Sequence, residues 1–224
     1  MFVRWFYFIA IFTVVKVSSE TKVATARLVS ENVSGTIVFT ETTAGLHVTG
    51  SIIGLPAGNY GFHVHELGDI STCDASGAHF NPDGNNHGGR DHQVRHVGDL
   101  GNVVFIGNGA GVDFVDGVIT LEGRNSILGR TLVLHEQEDD LGQGEHPNSL
   151  TTGNAGARVA CGVIGVRSPA GPWNSAASMS PSMLLFILVA AFVYHLFFNQ
   201  STYILKISNV PYIKEHVLYN SRTA

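Results

Sequence analysis

Between residues 25 and 166 the chain repeats one pattern: a run of four to nine residues rich in Val, Ile and Thr, then a break. The runs cover 25–30, 35–41, 46–53, 59–66, 103–106, 112–115, 118–121, 131–136 and 158–166. β-Branched residues suit a pleated, half-buried surface, and segments this short read as strands rather than helices. Thr42-Thr43-Ala44-Gly45 separates the second run from the third as a hairpin turn would. The pattern predicts an all-β domain, an antiparallel Greek-key sandwich or flattened barrel of immunoglobulin-like kind. Gly at 26 residues against Pro at 7 fits such a turn-rich fold, and an apolar fraction of 44% supplies its core.

Two stretches interrupt the rhythm. Residues 67–101 and 137–157 are long, polar and Gly-rich, and loops of that length inside a compact domain are functional or disordered. The first is dense in His and Asp, so a metal is the obvious means of ordering it. His63 and His65 are two apart in an expected strand, which sends both imidazoles to one face. A lone His-x-His is also compatible with a structural or incidental role. His79, His87, His96 and Asp99 follow within one loop, and three imidazoles with one carboxylate suit tetrahedral Zn(II). His135 ends a later run, beside Glu136. A mainly imidazole set argues against Mg or Ca, but spacing alone does not choose among Zn, Cu, Ni and Fe.

At these residues the chain resembles the copper–zinc superoxide dismutase family. Gly61-Phe62-His63-Val64-His65-Glu66 is similar to that family's first copper-binding signature. His79-Phe80-Asn81-Pro82, His87-Gly88-Gly89 and His96-Val97-Gly98-Asp99-Leu100-Gly101-Asn102 resemble its zinc loop. The segments 129–136 and 153–165 resemble its last copper-ligand strand and its second signature, and the likeness runs from about residue 22 to residue 166. The resemblance implies an enzyme that converts two superoxide radicals and two protons to dioxygen and hydrogen peroxide, with copper and zinc as cofactors. It implies copper on His63, His65, His79 and His135. Zinc would sit on His79, His87, His96 and Asp99, so that His79 serves both ions. It further implies that Asp139 hydrogen-bonds ligands of both metals, and that Arg158 attracts and orients the anion. Family members are commonly homodimers. His47, His92, His146, His195 and His216 match no ligand, with His92 the strongest exception because it lies inside the zinc loop. Cys73 and Cys161, the only cysteines, are expected to pair, as two cysteines in a secreted domain suggest and as the resemblance implies.

The loop 137–157 departs from the family pattern. Gln143 and Thr151 stand where lysines are often found, and Pro147 and Asn148 replace acidic residues. Steering is therefore expected to lean harder on Arg158. The stretch from Asp69 to Cys73 is one residue shorter than in common cytosolic relatives, which bears on any dimer contact nearby.

The ends carry separate signals. Residues 1–19, with Arg4 before an apolar run too short to span a bilayer and small residues Val17 and Ser19 at its close, read as a secretory signal cut near Glu20. The enzyme domain is expected over 20–167 and a linker over 168–182. Residues 183–205 form a candidate membrane segment and 206–224 a tail. Three readings of 183–205 stay open: a single-pass helix with the enzyme outside and Lys206, Lys214 and Arg222 inside, a GPI signal, or an ordinary extension. Extracellular or cell-surface residence follows. Asn32-Val33-Ser34 and Asn199-Gln200-Ser201 match the glycosylation pattern. A formal net charge of -5 gives no reason to expect nucleic acid as a partner. A catalytically silent surface metal-binding or adhesion relative is the competing reading. It would be favoured by loss of a ligand or of Arg158, and neither is lost.

Overall fold

The computed structural model describes residues 20–170 and 185–196. The expected signal peptide, most of the linker, the tail and the Asn199 sequon lie outside the described residues. Residues 185–196 form a helix in a separate unit of the chain. Its side chains are exposed all round, although nearly all are apolar. Among the described residues no helix is long and apolar enough to cross a membrane.

The main unit is built from β1 (Val23–Val29), β2 (Ser34–Thr42), β3 (Gly45–Ile53), β4 (Gly58–His65), β5 (Asp99–Phe105), β6 (Gly109–Asp116), β7 (Thr131–His135) and β8 (Arg158–Ser168). They form one antiparallel sheet in the order β5-β4-β7-β8-β1-β2-β3-β6. The edge strands β5 and β6 are consecutive in the chain and meet at an Ile106–Gly109 bridge, so the sheet curls into a nearly closed barrel. Strand β4 pairs with β7 across two intervening strands, the Greek-key crossover expected from the sequence.

Alternation explains which faces are filled. Ala24, Ala26 and Leu28 of β1, Ile37 and Phe39 of β2, and Leu46, Val48 and Ile52 of β3 point inward and are buried. Thr25, Arg27 and Val29 take the opposite face. In β4 the same period sends Phe62 and Val64 into the core. His63 and His65 therefore leave from the outer face, yet they are buried, because the two long loops fold over that side.

One expected strand is absent. Residues 118–121 lie in an irregular loop. The Asp116 carboxylate accepts the backbone N–H groups of Val118 (2.8 Å) and Ile119 (3.0 Å), which turns the chain out of β6. Ile119, Leu121 and Ile127 then plug the barrel and are buried. A short apolar run looks the same in sequence whether it packs as a strand or as a plug. Strand β5 also starts earlier than expected, at Asp99, inside the stretch read as loop.

Candidate metal centre

Antiparallel pairing aligns His63 with Val133 and His65 with Thr131. His135 lies two residues beyond Val133, on the same outward face. Gly61 keeps that step open: a Cβ there would stand 2.7 Å from the Ala155 Cβ and 3.1 Å from Cε1 of His63. The segment around His79 runs against β4, with Phe80 N–H on the Val64 carbonyl (2.8 Å) and a bridge between His65 and His79. Nearby, Asp99 enters from the start of β5, and His87 and His96 come from the loop before it.

Among the described residues, two of three groups share His79. His63, His65, His79 and His135 form one and His79, His87, His96 and Asp99 the other, while His63, His87 and Asp139 make the third. Within each group the potential ligand atoms lie within 4.8 Å of one another, and every member is buried. His79 belongs to the first two: its Nδ1 lies 2.8 Å from Asp99 Oδ1, while its buried Nε2 has no hydrogen-bond partner.

The outer hydrogen bonds decide which ring nitrogen keeps a lone pair. His65 Nδ1 donates to the Gly77 carbonyl (2.8 Å) and His135 Nδ1 to that of Gly156 (3.2 Å). In the neutral rings both Nε2 atoms then carry lone pairs, and these two atoms stand 3.2 Å apart. Two lone pairs at that distance repel unless a cation lies between them. Asp139 does the same for two more rings, accepting from His63 Nε2 (2.8 Å) and His87 Nε2 (2.7 Å). The Nδ1 atoms of His63 and His87 are left buried and without a hydrogen-bond partner. His87 Nδ1 approaches Asp99 Oδ1 to 3.0 Å without the alignment of a hydrogen bond. His96 Nδ1 comes to 3.1 Å of the same oxygen. The donor chemistry and the orphaned nitrogens fit two imidazole-bound cations that share one ring.

Electrostatics follow from burial. Desolvation holds His63, His65 and His79 below the ordinary imidazole value, helped by neighbouring rings, and takes His135 down to about 4. Burial also opposes a charge on His87, but the hydrogen bond to Asp139 and the nearby Asp99 carboxylate overrule it and raise the ring to about 9. Burial would lift Asp99 and Asp139. Hydrogen bonds from His79 and His96 to the first, with the His87 ring close by, and from His63 and His87 to the second, hold both well below the usual carboxylate range.

Beside the first group a cleft of about 580 Å³ opens, lined by His65, His79 and His135 and flanked by Arg158. The guanidinium is pinned. Nη1 donates to the carbonyls of Cys73 (2.8 Å) and Asp74 (3.0 Å) and to Ser76 Oγ (3.1 Å), while Nη2 donates to the Gly77 carbonyl (2.6 Å). Cys73 is disulfide-bonded to Cys161, Cα to Cα 5.7 Å, which ties this segment to the strand that carries Arg158.

A model of the copper/zinc superoxide dismutase family matches residues 33–164. An extracellular copper–zinc superoxide dismutase of Drosophila melanogaster is 52% identical over 139 residues, which span 60% of this chain and 77% of the fly protein. The crystal structure of the clock protein EA4 superposes with a TM-score of 0.65 at 51% identity, covering 67% of this chain and 98% of the other. The chain belongs to the copper/zinc superoxide dismutase family.

It is therefore an enzyme of superoxide dismutation with copper and zinc as cofactors, and nothing favours a silent relative. The extracellular form of the fly protein agrees with the expected secretion. His47, His92 and His146 are not members of the buried groups in this dismutase. His47 pairs with Asp113 on the surface (2.7 Å), and His92 and His146 accept local backbone N–H groups.

Asn102 and the buried pair Arg95 and Asp116, which brace the site, escaped sequence reasoning. Asn102 grips the backbone of Asp139 in both directions, donating to its carbonyl and accepting its N–H, each at 2.8 Å. Arg95, next to His96, donates to the Asp99 carbonyl and, at 2.7 Å, to Asp116. That ion pair is buried and fastens the zinc loop to the end of β6. Asn102 was visible only as part of a motif, and no local spacing marks the partnership of Arg95 with Asp116.

Proposed function

We propose that copper is held by His63, His65, His79 and His135, zinc by His79, His87, His96 and Asp99, and that Arg158 receives superoxide. The observation that carries this reading is the single imidazole of His79, which offers Nε2 to one buried group and Nδ1 to the other. Copper bound there would supply the one-electron chemistry that turns two superoxide radicals and two protons into dioxygen and hydrogen peroxide.

The chain's own groups do the rest. Asp139 holds the rings of His63 and His87 in the tautomer that presents Nδ1 inward. The carbonyls of Gly77 and Gly156 do the same for Nε2 of His65 and His135. Nε2 of His79, the atom of this ring that would hold copper, is also the one that would carry a proton to the peroxide product whenever the metal has released it. Arg158 is held by four acceptors, yet its Nε–H and one Nη2–H make no hydrogen bond and remain for an anion. In the loop above, Asn148 and Thr151 line the cleft where the family often has charge. The guanidinium is thus the one fixed cation among the lining residues. Arg158→Ile is expected to lower kcat/KM by about 10- to 100-fold and to weaken azide inhibition, with copper and zinc content unchanged. Unaltered rate and inhibition would remove Arg158 from this role.

Two finer readings concern assembly. Leu67, Ile70 and Val166 are exposed apolar residues. Gly68 lies against the Gly129 carbonyl, and Gly129 N–H donates to Ile164, which brings their segments side by side as a homodimer contact requires. Helix 185–196 presents Leu185, Phe186, Ile187, Phe192 and Tyr194 to its surroundings, an apolar surface suited to lipid, so that 183–205 anchors the secreted enzyme at a membrane. The detergent-solubilised full chain is expected to show the mass of two copies by light scattering and to stay with membranes through alkaline carbonate washing. A single-copy mass overturns the dimer, and release into the wash overturns the anchor.

A further inference from the structure

Among the residues that line the cleft, two carry a fixed charge, Arg158 and Asp74. Asp74 lies in the 3-10 turn Cys73–Ser76, and its Oδ1 is 3.8 Å from Nε of Arg158. That distance is an ion pair without a hydrogen bond. The two partners differ sharply in setting: the Arg158 side chain is 20% exposed, that of Asp74 91%. The turn does not depend on the carboxylate, because Thr72 Oγ1 caps it by accepting from Ala75 N–H (3.2 Å). Nor does the anchoring of Arg158, which uses the main-chain carbonyl of Asp74. The carboxylate is thus free of structural duties and is placed beside the N–H of Arg158 that would meet an incoming anion.

We infer that Asp74 is a rim carboxylate that competes with the substrate anion for Arg158 and so sets how strongly the cleft attracts anions. The inference rests on the role of Arg158 proposed above. With Asp74 present the fixed charges of the cleft wall cancel; without it the wall is net positive. The charge of the bound ions is common to both states. The effect is long-ranged in dilute salt, where the screening length is about 30 Å at about 10 mM, and nearly abolished at about 1 M, where it is about 3 Å. Dioxygen and peroxide leave as neutral molecules, so the carboxylate acts on anions alone. It lowers the capture of superoxide and equally excludes competing small anions from the site.

A charge series in the copper- and zinc-loaded enzyme tests this. At about 10 mM ionic strength, Asp74→Asn is expected to raise kcat/KM and azide affinity about two- to fivefold, and Asp74→Lys further, whereas Asp74→Glu stays at the native value. All four proteins should converge near 1 M salt. A merely structural role would instead lower activity in every variant, whatever the sign of the new charge and the salt. Equal values for Asp74→Asn, Asp74→Lys and the native enzyme at low salt overturn the inference. If Arg158→Ile lowers rate and azide affinity while the Asp74 series does nothing, only the role of Asp74 falls. If Arg158→Ile also changes nothing, the reading of Arg158 falls with it.

Discussion

Stripped of both metals, the protein is expected to lose all dismutation above the uncatalysed rate and to unfold about 20 °C lower, since losing two ligands, each present at about 1,000 times its Kd, removes about 8 kcal/mol, and each kcal/mol shifts a domain this size by about 2–4 °C. The buried groups explain why the loss is so large. Without cations, the facing Nε2 atoms of His65 and His135 and the orphaned nitrogens of His63, His79 and His87 have nothing to receive their lone pairs. The loops that cover them lose the clip that orders them.

The metal-free protein should also be sensitive to acid. His63, His65, His79 and His135 have folded values below the ordinary 6.5, so their contribution is present above that value and lost as pH falls below it; for His135 the loss runs down to about 4. Asp99 and Asp139 act in the same direction, contributing above the normal carboxylate range and losing that contribution as they protonate. His87 acts oppositely: raised to about 9, it stabilises fully below 6.5 and ceases to do so as pH rises through 9. Calorimetry of the metal-free protein across pH should therefore show a steep acid limb and a shallow alkaline one. Adding zinc should restore the midpoint without the activity, and copper should restore the activity. Dismutation by the zinc-only protein, or none after copper is added, contradicts the assignment of the two groups.

Replacing Cys161 by Ser is the second large effect. The bond spans 88 residues, and the loop-closure estimate for a ring of that size is about 4.5 kcal/mol. The consequence reaches function, because the acceptors that pin Arg158 belong to Cys73, Asp74, Ser76 and Gly77, the segment the bond holds against β8. Cys161→Ser should unfold at lower urea with a steeper slope, because the unfolded chain without the ring exposes more surface, and should weaken azide binding together with kcat/KM. Stability within about 1 kcal/mol of the native protein would show that the bond closes a loop already restrained in the unfolded chain.

Much of the site was readable because its signals are local or countable. A period of two places His63 and His65 on one face whatever the rest of the chain does. Two cysteines allow one intramolecular pair. The clustered histidines stand out by residue type, and they fall in the segments quoted above as family motifs. The reading failed where one-dimensional information is ambiguous. Residues 118–121 have strand composition, but two N–H groups captured by Asp116 make them a buried plug.

The chain's own order of residues determined the β class, the hydrophobic alternation and the donor set, because each depends on neighbours a few positions apart. Tertiary structure alone decided that Asn102 grips the backbone of Asp139, 37 residues away. It also decided that Arg95 finds Asp116 in the interior and that Asp74 comes to rest beside Arg158. The physical reason is that hydrogen bonds and charges act through space, so their partners exist only once the barrel has closed and the loops have folded over its outer face.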